Sequence, residues 1–184
     1  MTMKFTPTTI PGVLLIEPKM FGDDRGFFME TFRASEMAAA GIDTPFVQDN
    51  HSGSSRGILR GLHYQLRHPQ GKLVRVIAGE IFDVIVDIRK SSPAFGKWEG
   101  FVLSAQNKYI LWVPPCLAHG FYVLNEWAEV VYKATDIYAP EWERSLLWND
   151  PVIGIQWPLI KTSQPVLSSK DAAGKPLNEA ELYD

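Results

Sequence analysis

Thirteen prolines and 14 glycines are spread along these 184 residues, and that spacing disfavours long helices. Proline removes a backbone donor, and glycine brings conformational freedom that folding must freeze out. Between these breaks lie short runs of β-forming residues. Val13 to Ile16 is bounded by Pro11-Gly12 and Pro18. Leu73-Val74-Arg75-Val76-Ile77 leads into the turn signal Ala78-Gly79, and Ile81 to Ile88 follows. Glu129 to Tyr138 is rich in Val, Thr, Tyr and Ile. Helix signals are confined to two short stretches: Ser35 to Ala40, with Ser35 placed to cap it and Gly41 to end it, and Asn178 to Leu182. Many short strands at this spacing indicate two packed sheets with few exposed edges. The expected fold is all-β, a jelly-roll barrel with a few short helices. A doubly wound α/β fold lacks its helices here. With no repeat, low-complexity tract or shift in composition, residues 1–184 read as a single domain.

The chain has material for a core: 46% of its residues are hydrophobic, including 6 Trp and 10 Phe. A chain of this size buries roughly 70% of the surface its unfolded form exposes, so neither a disulfide framework nor a structural metal is required. The net charge of −3 argues against a nucleic-acid or anionic-membrane binder but allows a local basic pocket for a small anion. Cys116 is the lone cysteine, which fits a reducing compartment. The start, MTMKFTPTTIPG, lacks a basic segment followed by an apolar stretch, and no apolar run approaches the ~20 residues of a membrane span. These features predict a soluble, cytoplasmic globular protein.

Strand parity bears on the site. From Val130 to Tyr138, alternation puts Tyr132, Ala134, Asp136 and Tyr138 on one face. That face is either the solvated outside of the sheet or a polar cavity inside the barrel. Barrels of this type often hold a metal with a His-x-His pair and a downstream Glu. Here His63 is followed by Tyr64-Gln65, and CxxC and HExxH are absent, so no metal centre is predicted. Gly53-x-x-x-Gly57 and Gly57-x-x-x-Gly61 lack the Lys-Ser/Thr of a phosphate loop, and no Gly-x-Ser-x-Gly elbow occurs. Cys116, in Pro114-Pro115-Cys116-Leu117, has no charged neighbour to activate it. Acid–base chemistry remains. His63, in Leu59-Arg60-Gly61-Leu62-His63-Tyr64 and close to Lys72, is the candidate general base. A lone histidine is more often structural. Strict alternation also puts Arg60 and His63 on opposite faces, so a bulge or bend at Gly61 is needed to bring both into one cavity.

Eight segments, in order and spanning nearly the whole chain, carry a family resemblance. They are Phe21-Gly22-Asp23-Asp24-Arg25-Gly26-Phe27-Phe28, Phe46-Val47-Gln48-Asp49-Asn50-His51-Ser52, Leu59-Arg60-Gly61-Leu62-His63-Tyr64-Gln65, Gln70-Gly71-Lys72-Leu73-Val74-Arg75, Phe82-Asp83-Val84-Ile85-Val86-Asp87-Ile88-Arg89, Ala118-His119-Gly120-Phe121, Val131-Tyr132-Lys133-Ala134-Thr135 and Leu167-Ser168-Ser169-Lys170-Asp171-Ala172. Together they resemble the dTDP-4-dehydrorhamnose 3,5-epimerase family. The resemblance implies a cupin-type double-stranded β-helix, a homodimer, and neither metal nor organic cofactor. It implies a dTDP-linked 4-keto-6-deoxy sugar as substrate and inversion at C3 and C5. It also assigns roles: His63 as base, Asp171 as the acid that orients it, Tyr132 as proton donor on the far face and Lys72 as the cation near the C4 oxygen. Arg25, Arg60 and Lys170 match diphosphate contacts, Glu30, Gln48 and Asn50 match nucleoside contacts, and Tyr138 matches an aromatic stacking on thymine. His119 and Glu143 match further binding positions. With Tyr132 and Tyr138 both assigned to the site, their common face becomes the cavity face.

Three places depart from the family pattern: Ser145-Leu146-Leu147 after Arg144, Cys116 where a small residue is usual, and the loop Arg67-His68-Pro69. They bear on substrate preference rather than on the acid–base set. Asp83 is a rival partner for His63; otherwise it reads as a solvent-side strand residue. The competing functions are an epimerase acting at C3 or C5 alone, a non-catalytic sugar-nucleotide-binding jelly roll, and a metal-dependent oxygenase of similar fold.

Overall fold

The structure, a computed structural model, describes residues 2–160 and 164–184. In chain order the strands are β1 (Met3–Pro7), β2 (Leu14–Pro18), β3 (Met20–Asp23) and β4 (Gly26–Met29), then helix α1 (Ala34–Ala39). Next come β5 (Gln48–Ser55), β6 (Leu59–Gln65), β7 (Lys72–Ala78), β8 (Glu80–Asp87), β9 (Trp98–Ser104), β10 (Ile110–Val113), β11 (Leu117–Val123) and β12 (Trp127–Ala134). A 3-10 turn (Pro140–Trp142), β13 (Glu143–Ser145) and helix α2 (Ser169–Ala172) follow.

Two antiparallel sheets face each other. One has the order β1-β2-β10-β7-β12-β5, the other β13-β6-β11-β8-β9, and β3-β4 forms a separate hairpin. This is the expected cupin-type jelly roll with two short helices. Its central core comes from alternate residues of both inner faces: Val74, Val76, Leu111 and Val130 from the first sheet, Ile81, Ile85, Leu103 and Phe121 from the second. Each such side chain taken fully out of water contributes roughly 1.5–3 kcal/mol. The outer face of the second sheet is covered by the C-terminal segments, where Leu146, Ile153 and Leu177 pack on Leu62, Val84 and Val86. The outer face of the first is covered by α1 and its flanks, through Met37, Ile42 and Phe46 against Leu73, Ile110 and Trp112.

α1 stops as the sequence predicts. Gly41 takes φ +86°, its N–H donates to Ala38 O (3.0 Å), and Ile42 N–H donates to Met37 O (2.9 Å). That is a Schellman closure, with Met37 and Ile42 packed in one cluster. Its start differs. Arg33 is the N-cap and makes no side-chain cap bond, so Ser35 lies inside the helix.

Asn178 to Leu182 is not helical. Pro176 opens a turn closed by Glu179 N–H on Pro176 O (2.9 Å), and Leu177 N–H is held by buried Asp150 Oδ2 (2.6 Å). Docking of Leu177, Leu182 and Tyr183 against the second sheet overrides a five-residue propensity. The second helix is α2 instead, capped by Ser168, whose Oγ accepts from Asp171 N–H (3.1 Å) and donates to Asp171 Oδ2 (2.6 Å). Ser168 just ahead of the helix, with Asp171 in its first turn, is an N-cap signal readable in the sequence.

The Val13 to Ile16 run offers no free edge, because β2 lies between β1 and β10. The edges of that sheet are β1 and β5.

Candidate active site

One cavity of about 360 Å³ opens between the sheets. Gln48, Asn50, Arg60, His63, Lys72, His119, Tyr132, Tyr138, Glu143 and Lys170 line it, all of them residues singled out in the sequence. A smaller space of about 80 Å³ continues past His63, Lys72 and Tyr132 to Cys116, Leu117 and Tyr183. A cleft of similar volume to the main one, about 350 Å³, adjoins the first sheet, lined by Asn50, His51, Arg75, Val131, Tyr132 and Lys133 but not by His63 or Lys72.

The bulge required at Gly61 is present. β6 and β11 pair His63 with His119 and Arg60 with Phe121, so two residues of β6, Gly61 and Leu62, stand against one of β11, Gly120. His119 and Phe121 are two apart and share a face, and Arg60 and His63 therefore reach the same cavity. Gly61 permits this. It adopts φ +127°, and a Cβ there would lie 2.4 Å from Gly120 Cα.

His63 Nε2 is 2.6 Å from Asp171 Oδ1. The imidazole is 25% exposed in the cavity, whereas the carboxylate behind it is 4% exposed. Burial alone would raise the Asp171 carboxyl. Hydrogen bonds from His63, Ser168 and the Gly61 N–H overcome this and hold it down at about 2. Asp83, the rival partner, is elsewhere. It is fully buried, with both oxygens on His119 Nε2 at 2.9 and 3.0 Å. It is therefore not a solvent-side residue. His51 and His68 pair at exposed positions with Glu129 and Asp136. Among the described residues, no three His, Cys, Asp or Glu side chains gather as a metal site.

Tyr132 reaches the cavity from β12, in the sheet facing that of His63. Burial first, then Glu143, push its phenol up, while Arg60 opposes them. Lys72 begins β7 and points inward with Val74 and Val76. Burial pushes its ammonium down to about 8, partly offset by the Glu143 and Asp83 carboxylates.

Tyr138 arrives by a route that strand parity does not capture. β12 ends at Ala134, and the chain bends through Thr135 and Asp136. Three glutamines brace the bend. Gln70 donates to Asp136 O (2.8 Å), Gln65 donates to Ile137 O (3.2 Å) and accepts from Ala139 N–H (2.9 Å), and Gln48 accepts from Tyr138 N–H (2.9 Å). Gln65 and Gln70 were not singled out in the sequence. Their neutral side chains carry no chemical signature, and their targets are backbone groups 66 to 74 residues away.

Glu143 ties the cavity mouth together. It accepts from Tyr138 Oη (2.6 Å), pairs with Lys170 Nζ (2.5 Å) and lies 4.0 Å from His63 Nδ1. Burial would raise its carboxyl, but these partners hold it below the usual range. The Tyr138 phenol is pushed up to about 12, first by its bond to Glu143 and then by burial. Arg60 is oriented by Ser54 Oγ (2.9 Å).

Arg25 and Glu30 are not brought to this cavity within one chain. Arg25 lies on the exposed β3-β4 hairpin, paired with Asp23 at 2.5 Å, and Glu30 pairs with Arg33 at 2.6 Å. Cys116 is half-buried, and burial pushes its thiol up.

An imidazole backed by a carboxylate, a phenol from the opposite sheet and a partly buried ammonium, all inside a jelly roll, define a barrel enzyme equipped for proton transfer. Comparison with known proteins narrows the class. The family model described as dTDP-4-dehydrorhamnose 3,5-epimerase matches residues 7–179. A protein of that name from Pseudomonas aeruginosa is 56% identical over 98% of this chain and 99% of its own length. Another from Neisseria gonorrhoeae is 58% identical over 97% of this chain, which spans 54% of that longer protein. The crystal structure of dTDP-6-deoxy-D-glucose-3,5-epimerase from Legionella pneumophila, in complex with dTDP-4-keto-L-rhamnose, superposes with a TM-score of 0.94 at 52% identity, covering 97% of this chain and 95% of that one. The chain belongs to the dTDP-4-dehydrorhamnose 3,5-epimerase family and is an epimerase.

Proposed function

We propose that this single-domain enzyme inverts C3 and C5 of dTDP-4-dehydro-6-deoxy-D-glucose, giving dTDP-4-dehydro-L-rhamnose for dTDP-L-rhamnose biosynthesis in the cytoplasm. The observation that carries the reading is the His63–Asp171 pair at 2.6 Å in a cavity shared with Tyr132 and Lys72.

The C4 ketone acidifies the hydrogens on C3 and C5. His63 removes one as a proton, and the electron pair of that C–H bond forms an enolate. Asp171 keeps the imidazole aligned and stabilises its protonated form. The Lys72 ammonium steadies the charge on the C4 oxygen. Tyr132 returns a proton to the opposite ring face, which inverts the centre. Exchange with water resets imidazolium and tyrosinate before the second carbon reacts. Arg60 and Lys170 supply positive charge for the diphosphate, with Arg60 suited to bidentate contact. Asn50, Gln48, Glu143 and His119 surround the rest of the nucleotide sugar, and Tyr138 offers its ring to thymine. The residues do this chemistry with their own side chains.

The enzyme acts as a homodimer in this reading. The β3-β4 hairpin exposes Met20, Phe21, Phe27 and Phe28, each about half or more accessible, and strand β5 leaves a free sheet edge beside the cavity. A partner's hairpin laid there would carry Arg25 and Glu30 to the nucleotide end.

Proton NMR of the 4-keto substrate in D2O tests the function. Wild type incorporates deuterium at both C3 and C5, and His63→Ala abolishes both exchanges. Exchange at one position would reassign the chain as a single-site epimerase, and binding without exchange would make it a sugar-nucleotide-binding protein.

A further inference from the structure

Asp83 stands where packing alone calls for an apolar side chain. Its neighbours two positions away on β8, Ile81 and Ile85, are fully buried core residues, and Asp83 itself has no exposure. A carboxylate in such surroundings is strongly unfavourable unless it is partnered. Its partner is one group. β8 and β11 pair Asp83 with Phe121 and Ile85 with His119, so Asp83 and His119 are diagonal neighbours on the inner face. His119 Nε2 meets both carboxylate oxygens, at 2.9 and 3.0 Å, and among the described residues Asp83 has no other hydrogen-bond partner. Asp171 differs in this respect, since Ser168 and the Gly61 N–H share it.

The other ring nitrogen, His119 Nδ1, makes no protein hydrogen bond among the described residues. It is not a buried orphan either, for Thr6 Oγ1 is the one such atom among them. His119 lines the main cavity, and it is the residue paired across the strands with His63.

We infer that Asp83 is a positioning residue that holds the Nε2 proton of His119 and presents Nδ1 to the cavity as an acceptor for a hydroxyl of the bound hexose. The inference rests on the function proposed above. A carboxylate only accepts hydrogen bonds, so an imidazole bound to it through Nε2 carries its proton there, and in the neutral ring Nδ1 accepts. Arg60 and Lys170 already provide charge for the diphosphate, and an acceptor set directly beside the base suits a hexose hydroxyl. Two histidine–carboxylate pairs thus stand side by side, one moving protons and one holding the ring they are taken from.

Nitrogen-15 NMR of the substrate-free protein reads the tautomer directly. Wild-type His119 is expected to be protonated at Nε2 and bare at Nδ1; the opposite tautomer would overturn the inference. Asp83→Asn should lose that preference, because an amide can donate to Nε2 as well as accept from it. Asp83→Asn and His119→Asn should each lower kcat/KM by roughly 10- to 100-fold, and the double variant should be no worse than His119→Asn alone. Losses that multiply, or a folded Asp83→Asn within twofold of wild type, would refute the assignment. If Asp83→Asn does not fold, the wild-type spectrum decides by itself. That spectrum needs no substrate. Absent turnover in wild type would therefore sink the epimerase reading while leaving the tautomer result standing.

Discussion

Asp171 binds His63 from 108 residues further along the chain, at 2.6 Å, and the same carboxylate oxygen accepts from the Gly61 N–H at 3.2 Å. One side chain thus orients the proposed base and clamps the bulge that aims it.

Asp171→Asn keeps that shape but removes the charge. It should lower kcat by about 10²- to 10⁴-fold, the range for a base left in the wrong tautomer. Stability should change with pH as well. The Asp171 carboxyl lies at about 2 in the fold against 3.8 for a free aspartate. Its stabilisation is therefore complete above pH ~4 and lost as pH falls towards 2, about 2 kcal/mol in all. Acid unfolding curves for wild type and Asp171→Asn should converge at the bottom of that window. A constant gap between them would assign the stabilisation to another group.

Lys72 sets an alkaline limit. Its ammonium is pushed down to about 8, so the cation proposed to steady the C4 oxygen is present below that pH and lost above it. The pH profile of kcat/KM should fall through pH ~8, and Lys72→Arg, whatever activity it retains, should move that limb upward. The Tyr132 phenol lies above its ordinary value and does not supply the limb. Between about 8 and 10.5 the folded protein binds fewer protons at Lys72 than the unfolded chain. The cost of burying this lysine therefore diminishes as pH rises through that window.

Tyr132→Phe separates removal of the proton from its return. Deuterium exchange can proceed by His63 alone, through reprotonation on the face it left. In the proposed mechanism, inversion needs the phenol. The variant should lose far more inversion than exchange, measured together in one NMR time course. Equal losses would assign Tyr132 a binding role.

Gly61→Ala should damage both stability and activity. The added methyl group would lie 2.4 Å from Gly120 Cα and 2.9 Å from His119 O, at φ +127°. Strain and overpacking of this kind cost about 2–4 kcal/mol, or roughly 5–15 °C in Tm for a chain of this length. A thermal melt with unchanged midpoint would show that the strands separate there without cost.

The all-β architecture, the need for a bend at Gly61 and most of the cavity lining were legible in the chain. Turn residues and β-forming runs are local signals, and the bend followed from asking how Arg60 and His63, three apart, share a face. Other features were not legible. Parity grouped Tyr138 with Tyr132, but the strand stops at Ala134, and Tyr138 reaches the cavity on a bend braced by Gln48, Gln65 and Gln70. The helix expected at Asn178 to Leu182 gave way to docking of Leu177 and Tyr183. The helix actually present, at Ser169–Ala172, had its signal in Ser168 and Asp171.

Local chemistry therefore determined the kind of fold and the candidate base, because backbone preference and side-chain type act within a few residues. Tertiary structure decided which carboxylate serves which histidine. Asp83 and Asp171 are equally acidic as sequence, and pairing depends on strand register and a one-residue bulge. Register between β8 and β11 gave Asp83 to His119, and helix α2, docked on the Gly61 bulge, gave Asp171 to His63; Arg25 and Glu30 lie outside the cavity of their own chain.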